Sequence, residues 1–154
     1  MPLRRIMRLN ENISILLVED NPAHAEIVLR SFETYDMNEN IFHVSDGQEA
    51  LDYLYREGNF AGGNAKRIPD LIILDLRLPK VDGIEVLKKI KSDIKFKTIP
   101  VIILTTSESD KDIAKAYTNH VNSYLVKPID LEKFGELIES FGYYWFSWNK
   151  FPVN

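Results

Sequence analysis

The sequence contains no cysteine and no long apolar run, and both absences exclude whole classes of protein. Without cysteine, a chain of 154 residues has no disulfide framework, thiolate zinc site or cysteine nucleophile. Its longest apolar runs, such as residues 71–74 and 101–104, fall far short of the roughly 20 residues that a membrane-spanning helix needs. Three arginines near the start, at positions 4, 5 and 8, are not followed by the apolar stretch of a signal peptide. We therefore expect a cytoplasmic protein with no membrane partner.

The sequence also lacks an excess of positive charge. Nineteen Lys and Arg residues stand against 23 Asp and Glu residues, which gives a net charge of −4. A nucleic-acid-binding domain usually carries a basic patch, so we do not expect DNA as a partner. The hydrophobic fraction of 45% argues against disorder. The length fits one domain with short extensions, since single domains usually have ~100–200 residues.

Five short apolar runs alternate with segments of helical spacing. The runs cover residues 13–18, 40–44, 70–74, 99–104 and 122–126. Most are nearly continuous in Ile, Val and Leu, which is typical of strands buried on both faces of a parallel sheet. A helical segment follows each run, and the first opens with Pro22 behind a capping Asp20 or Asn21. This order predicts an α/β fold with a doubly wound five-stranded parallel sheet.

The helical segments also predict which side chains face inward. In the segment from 109 to 120, the predicted core-facing residues are Ile113, Ala114 and Tyr117. In the segment from 83 to 93, the predicted solvent-facing lysines are Lys88, Lys89 and Lys91. Gly58 is the predicted end of the second helix.

Polar residues follow four of the five predicted strands, where ligands bind in open α/β sheets. They are Glu19, Asp20, Asp75, Thr105, Thr106 and Lys127. Three neighbouring carboxylates repel one another unless a cation neutralises them, and Mg²⁺ prefers such oxygen ligands. The hydroxyl and the ammonium group suit the oxygens of a phosphoryl group. An aspartate beside such a metal can attack phosphorus and hold an acyl phosphate.

These residues carry a resemblance to a known family. The segments Glu19-Asp20, Leu74-Asp75-Leu76-Arg77-Leu78-Pro79, Asp82-Gly83, Thr105 and Tyr124-x-x-Lys127-Pro128 resemble the receiver domain of two-component response regulators over residues 12–141. The resemblance implies the flavodoxin-like (βα)5 receiver fold. It also implies a phosphoacceptor signalling protein of a phosphorelay, with at most slow self-dephosphorylation, rather than an enzyme.

The resemblance implies a role for each site residue. Asp75 would take a phosphoryl group from the phosphohistidine of a sensor histidine kinase. Mg²⁺ (or Mn²⁺) would be held by Asp20, Asp75 and the backbone carbonyl of Arg77, with Glu19 acting through water. The residues that tune the phosphoryl lifetime would be Arg77, Thr106 and Ser107.

The resemblance also implies a conformational switch. Lys127 would pair with the phosphoryl group, and its bond to Pro128 would be cis. Thr105 would move toward the phosphoryl oxygens, and Tyr124 would then turn inward. The output would pass through contacts with other proteins.

Aromatic residues are concentrated at the end of the sequence. The chain has two Trp, seven Tyr and eight Phe residues, and seven of these aromatics fall in the last fourteen positions. Aromatics on every side of residues 143–146 are more than one helix face can bury, and a membrane anchor would need a basic face. A protein interface fits better, because such interfaces are rich in Trp, Tyr and Phe. The predicted interface residues are Phe141, Tyr144, Trp145 and Trp148. The predicted division is an arm (1–12), a receiver domain (13–142) and an aromatic tail (143–154), with no output domain.

The tail and two short segments, residues 104–107 and 120–124, resemble the stand-alone response regulators of cyanobacterial phytochromes. This finer resemblance implies a homodimer and names a phytochrome as a candidate kinase. A phosphohydrolase of the haloacid dehalogenase type is the alternative function, but its second aspartate is replaced here by Arg77. A flavodoxin-like cofactor carrier would need a phosphate-binding loop after the first strand, where this chain is acidic.

Overall fold

The computed structural model describes residues 13–37, 40–63 and 67–152. Its strands are β1 (Ile15–Val18), β2 (Ile41–Val44), β3 (Leu71–Leu74), β4 (Val101–Thr105) and β5 (Ser123–Val126). Its helices are α1 (Pro22–Glu33), α2 (Gly47–Tyr55), α3 (Gly83–Ser92), α4 (Asp110–Thr118) and α5 (Leu131–Gly142). A short 3₁₀ turn covers Gly58–Phe60, and a π-helix covers Tyr143–Trp148. No helix in the described ranges has the length and apolar character to span a membrane.

The five strands form one parallel sheet in the order β2-β1-β3-β4-β5, which confirms the predicted fold. In the register, Ile15 of β1 lies between Ile41 of β2 and Leu71 of β3. The chain first steps outward from β1 to β2 and then returns to the other side of β1. The strand order therefore reverses between β1 and β3, and ligands bind at such a reversal.

The two faces of the sheet have separate apolar cores. Leu16 and Val18 of β1 pack in one core, whereas Ile15 and Leu17 pack in the other. Successive side chains of a strand point to opposite faces of the sheet. When helices cover both faces, the odd and the even positions of the strand must therefore both be apolar. This explains why the strands read as continuous apolar runs.

Polar side chains set where the helices begin. The Asn21 side chain accepts hydrogen bonds from the backbone N–H groups of Ala23 and His24, so Asn21 rather than Asp20 caps α1. Asp46 caps α2 by accepting from the N–H of Glu49 at 2.8 Å. The end of α2 differs from the prediction, because Arg56 takes the left-handed conformation at φ 55° and ends the helix before Gly58.

The predicted inner face of α4 is wrong for two of its three residues, and only Ile113 is half-buried. Tyr117 is 54% exposed and Ala114 is exposed, while Asp112 and Ala116 are the buried residues of this helix. The buried carboxylate of Asp112 accepts hydrogen bonds from Arg77 and Ser107, and these polar contacts replace apolar packing. A search for apolar spacing therefore selected the wrong side of the helix.

Lys91 is also placed differently from the prediction. Its ammonium group donates to the carbonyl oxygens of Lys97 at 3.1 Å and Ile99 at 2.8 Å, and to the Asn122 side chain at 2.8 Å. Burial lowers the pKa of Lys91. This lysine joins the end of α3 to the loops before β4 and β5, whereas Lys88 and Lys89 are exposed as expected.

One residue of the aromatic tail, Phe146, belongs to the core. Phe146 is 2% exposed, and its ring lies 5.0 Å from that of Phe32 and 5.5 Å from that of Tyr35. The π-helix continues α5 without a break. Gly142 allows this packing, since a Cβ there would lie 2.7 Å from the Tyr35 ring. The apolar core of the domain therefore extends beyond the boundary expected at residue 142.

Candidate functional site

An acidic cluster lies at the carboxyl ends of β1 and β3. The backbone continues the sheet ladder there, because Glu19 donates to the Val44 carbonyl and Asp75 to the Val18 carbonyl, both at 3.1 Å. Carboxylate oxygens of Glu19, Asp20 and Asp75 lie within 4.8 Å of one another. Glu19 and Asp75 are buried, while Asp20 is exposed. The topology thus brings together the three acids predicted from the sequence.

Lys127 is the cation of this cluster. Its backbone N–H donates to the Thr105 carbonyl at 2.7 Å, which holds the end of β5 against β4. Its ammonium group is buried and donates to Asp75 Oδ2 at 3.0 Å and also to Glu19 Oε1. One lysine therefore pairs with two of the three carboxylates.

The balance of charges in the cluster fits a divalent cation. The pKa of Glu19 is raised to about 7, chiefly by burial; the Lys127 hydrogen bond opposes this rise, and the charge of Asp75 adds to it. The buried acids thus lack enough positive charge nearby. A hard cation with oxygen ligands would supply it, and Glu19, Asp20 and Asp75 are placed to hold it, directly or through water.

Two histidines adjoin the cluster. His24 Nδ1 lies 3.1 Å from the Lys127 ammonium group, and burial followed by the Lys127 charge lowers the pKa of His24. His43 Nε2 lies 2.8 Å from the backbone carbonyl of Glu19. Since a carbonyl only accepts, this nitrogen of His43 carries the proton. His43 therefore fixes the main chain of the acidic turn, a role for which the sequence offers no signal.

The loop after β3 is held close to Asp75. The backbone N–H of Arg77 donates to Asp75 Oδ1 at 3.3 Å, and that of Gly83 donates to the Leu76 carbonyl at 2.9 Å. A Cβ on Gly83 would lie 2.3 Å from the Asp75 carbonyl oxygen. The glycine of the Asp82-Gly83 pair is thus required by the approach of α3 to this loop.

The loop after β4 joins Thr105 to Tyr124. Thr105 is fully buried, and its hydroxyl accepts from the Ser107 N–H at 3.4 Å. The Tyr124 hydroxyl donates to the Ser107 carbonyl at 2.9 Å, and burial raises the pKa of Tyr124. Thr106 is exposed. The predicted switch residues therefore meet at the main chain of Ser107.

Asp112, at the start of α4, was missed by the sequence analysis. Its carboxylate accepts from the Arg77 guanidinium at 2.5 Å and from the Ser107 hydroxyl at 2.6 Å. Arg77 lies 35 positions away along the chain. A contact at this separation leaves no pattern in a single sequence.

The predicted interface residues divide into two groups. Phe141 is 7% exposed and stacks on Phe32, so this residue is packed inside the chain rather than presented to a partner. Tyr144 and Trp148 are 54% and 66% exposed, and Trp145 is half-buried. Tyr143, which was not predicted as an interface residue, is also exposed.

The bond between Lys127 and Pro128 is trans, as are the other described peptide bonds, which differs from the cis bond that the resemblance implies. The trans form is the ordinary preference of such bonds, by about 0.5–1 kcal/mol.

The chain belongs to the family of response regulator receiver domains. The family model for the response regulator receiver domain matches residues 15–139, a range that contains the acidic cluster, Thr105, Tyr124 and Lys127. The protein is therefore a receiver of two-component signalling, a class whose members act as signalling proteins.

Two curated relatives cover most of their own length. The chain is 45% identical over 147 residues to the probable methanogenesis regulatory protein FilR2 of Methanothrix harundinacea, covering 96% of this chain and 92% of FilR2. It is 38% identical over 131 residues to the response regulator Rcp1 of Synechocystis, covering 85% of this chain and 87% of Rcp1.

Two solved structures are similar over nearly their full length. The crystal structure of Mn²⁺-bound Rcp1 has a TM-score of 0.85 and 35% identity, covering 92% of this chain and 99% of that one. The crystal structure of the phosphorylated cyanobacterial phytochrome response regulator RcpA has a TM-score of 0.84 and 39% identity, with the same coverage. Divalent metal binding by this chain agrees with both the Mn²⁺-bound neighbour and the acidic cluster.

Proposed function

We propose that this chain accepts a phosphoryl group on Asp75 from the phosphohistidine of a sensor histidine kinase, in a reaction that requires Mg²⁺ or Mn²⁺. The observation that carries the proposal is the setting of Asp75, a buried carboxylate bound by Lys127 at 3.0 Å and placed beside two further acids. A carboxylate so placed combines a nucleophile, a cation for the phosphoryl oxygens and a ligand set for a metal.

In the proposed transfer, a carboxylate oxygen of Asp75 attacks phosphorus as the bond from phosphorus to the histidine nitrogen breaks. The electron pair of that bond stays on the imidazole, which takes up a proton. Lys127 already donates to Asp75 Oδ2 and would balance the negative charge of the phosphoryl oxygens. The Arg77 N–H orients Oδ1 at 3.3 Å. A divalent cation held by Glu19, Asp20 and Asp75 would neutralise the remaining charge of the phosphoryl group.

The switch that we propose uses Thr105 and Tyr124. Both engage the main chain of Ser107, one through its N–H and the other through its carbonyl. If the Thr105 hydroxyl moves toward a phosphoryl oxygen, it must release the Ser107 N–H. The loop that also receives the Tyr124 hydroxyl then loses one of its anchors, which links phosphorylation to the position of Tyr124.

Phosphorylation is tested with acetyl phosphate and Mg²⁺, followed by intact-mass spectrometry. We expect covalent labelling of the wild type, none with Asp75→Asn, and none of the wild type when a chelator is present from the start. Asp110→Asn is the matched control, because it removes an exposed carboxylate outside the cluster and should label normally. Equal labelling of the Asp75→Asn variant would contradict the assignment.

We further propose that the exposed aromatics of the tail form a homodimer contact. Tyr143, Tyr144 and Trp148 are more than half exposed on one short helix, and clustered exposed aromatics are typical of interfaces. Sedimentation velocity of the wild type and Trp148→Ser tests this contact. Dimerisation that is as strong in Trp148→Ser and in Tyr144→Ser as in the wild type would refute it.

The kinase partner is proposed from the relatives. RcpA is described as a cyanobacterial phytochrome response regulator, so a phytochrome kinase is one candidate, while FilR2 is described as a probable regulator of methanogenesis. Phosphotransfer to this chain would be compared between a purified phytochrome kinase and a purified histidine kinase that phosphorylates FilR2, at equal concentration. The faster transfer would identify the better candidate. A cytoplasmic location stays a prediction.

A further inference from the structure

One carboxylate oxygen connects the loop of Asp75 to the loop of Thr105. Asp112 Oδ2 accepts both from the Arg77 guanidinium at 2.5 Å and from the Ser107 hydroxyl at 2.6 Å. The Asp112 side chain is only 12% exposed. Burial of a carboxylate is costly without partners, so these two contacts hold the start of α4 in place.

The contacts continue from Asp112 toward Tyr124. The Asp112 N–H donates to the Ser109 hydroxyl at 3.4 Å, and the Ser109 N–H donates to the Ser107 hydroxyl at 3.3 Å. The Ser107 carbonyl receives the Tyr124 hydroxyl at 2.9 Å. Loss of the Arg77 contact would therefore weaken a chain of hydrogen bonds that includes the cap of α4 and ends on β5.

At the other end, Arg77 is free to change partner. Its backbone N–H already donates to Asp75 Oδ1, so its side chain is attached beside the proposed phosphorylation site. The Arg77 side chain is 63% exposed and lines a cavity of about 220 Å³ together with Asp82, Glu85 and Lys115. The guanidinium group can therefore move without displacing packed side chains.

We propose that Asp112 is a positioning residue that competes with the phosphoryl group on Asp75 for the Arg77 guanidinium. The inference rests on the proposed phosphorylation of Asp75. A phosphoryl group carries a charge of roughly −1.5 to −2, more than the single charge of the Asp112 carboxylate. When Arg77 leaves Asp112, the Ser107 loop and the start of α4 lose the cation that neutralises this buried acid. The effect of phosphorylation at Asp75 thereby reaches α4.

A double-mutant cycle with beryllofluoride tests the competition. Binding of this phosphoryl mimic is measured by calorimetry with Mg²⁺ present, for the wild type, Asp112→Asn, Arg77→Gln and the double variant. We expect Asp112→Asn to bind roughly two- to fivefold more tightly, the range for a half-exposed ion pair, because Arg77 no longer has a competing partner. In the Arg77→Gln background the same substitution should have less effect. Asparagine keeps an acceptor for the Ser107 hydroxyl, so the fold is preserved.

Removal of a negative charge could by itself favour an anion, and Glu85→Gln controls for this effect. Glu85 lines the same cavity, and its carboxylate pairs with Lys88 at 3.4 Å. The gain from Asp112→Asn should exceed that from Glu85→Gln. An equal gain from Asp112→Asn in both Arg77 backgrounds would overturn the proposed exchange.

Hydrogen exchange provides a readout that a purely structural role would not change. Beryllofluoride should increase exchange in peptides spanning residues 105–116 of the wild type, but not in Arg77→Gln, whose exchange should already be high without the mimic. Unchanged exchange in wild type that binds the mimic would refute the inference alone. Failure of the wild type to bind the mimic would instead refute the phosphorylation of Asp75.

Discussion

Replacement of Phe146 by alanine should destabilise the whole domain, although the residue lies in what the sequence presents as a tail. Phe146 is 2% exposed and contacts the rings of Phe32 and Tyr35. Truncation of a buried Phe to Ala usually costs about 3–5 kcal/mol. Because the short π-helix can partly relax into the space that the ring leaves, we expect a loss of about 3 kcal/mol, at the lower limit of this range. For a domain of this size, this lowers the Tm by roughly 6–12 °C.

Urea unfolding followed by far-ultraviolet circular dichroism measures this loss. Trp148→Ala is the control, because that side chain is 66% exposed and its removal should change the free energy of unfolding by no more than about 0.5 kcal/mol. Both variants are compared at concentrations where the protein is monomeric. A loss below about 1 kcal/mol for Phe146→Ala would refute the assignment of this ring to the core.

Three further predictions concern the loops and the pH dependence of stability. Gly83→Ala should weaken Mg²⁺ binding, measured by calorimetry, because the new Cβ would lie 2.3 Å from the Asp75 carbonyl oxygen and displace the loop; unchanged affinity would contradict this. Lys91→Met should cost about 1–2 kcal/mol of unfolding free energy through lost hydrogen bonds, whereas Lys89→Met, on the exposed side, should be neutral in the same urea assay. Burial and a hydrogen bond to a carboxylate raise the pKa of Tyr55 from 10.0 to about 12, so the neutral phenol is favoured in the folded state. The stability advantage of wild type over Tyr55→Phe is therefore expected below pH 10 and should decline as the pH rises through 12.

The site was accessible from the sequence because topology fixes where strands end. In a parallel sheet the residue after each strand lies at one edge, so Asp75, Thr105 and Lys127 could be grouped without any structure. This grouping requires only that the strands be located correctly, and the apolar runs were sufficient to locate them. The strands themselves are shorter than the runs, because flanking apolar residues such as Ile13 and Ile99 are buried outside the sheet ladder.

The helix faces were less accessible because the predictions relied on apolar spacing alone. α4 buries an aspartate and leaves Tyr117 outside, and Lys91 uses its ammonium group as a cap for distant carbonyls. The tail aromatics were judged with a period of 3.6 residues, whereas the structure winds them as a π-helix that places Phe146 inward. In each case, a polar contact distant in sequence or an unusual helical period decided the orientation.

The exception at α4 bears on how the domain signals. Its two buried residues are Ala116, which has little apolar surface, and Asp112, which depends on Arg77 and Ser107. By contrast, α3 buries Ile84, Val86, Leu87 and Ile90. A helix held by a few polar contacts costs less to displace than one held by a broad apolar face. The arrangement therefore places a helix with little apolar anchoring beside the predicted phosphorylation site, where a change of charge acts directly on the contacts that hold the helix.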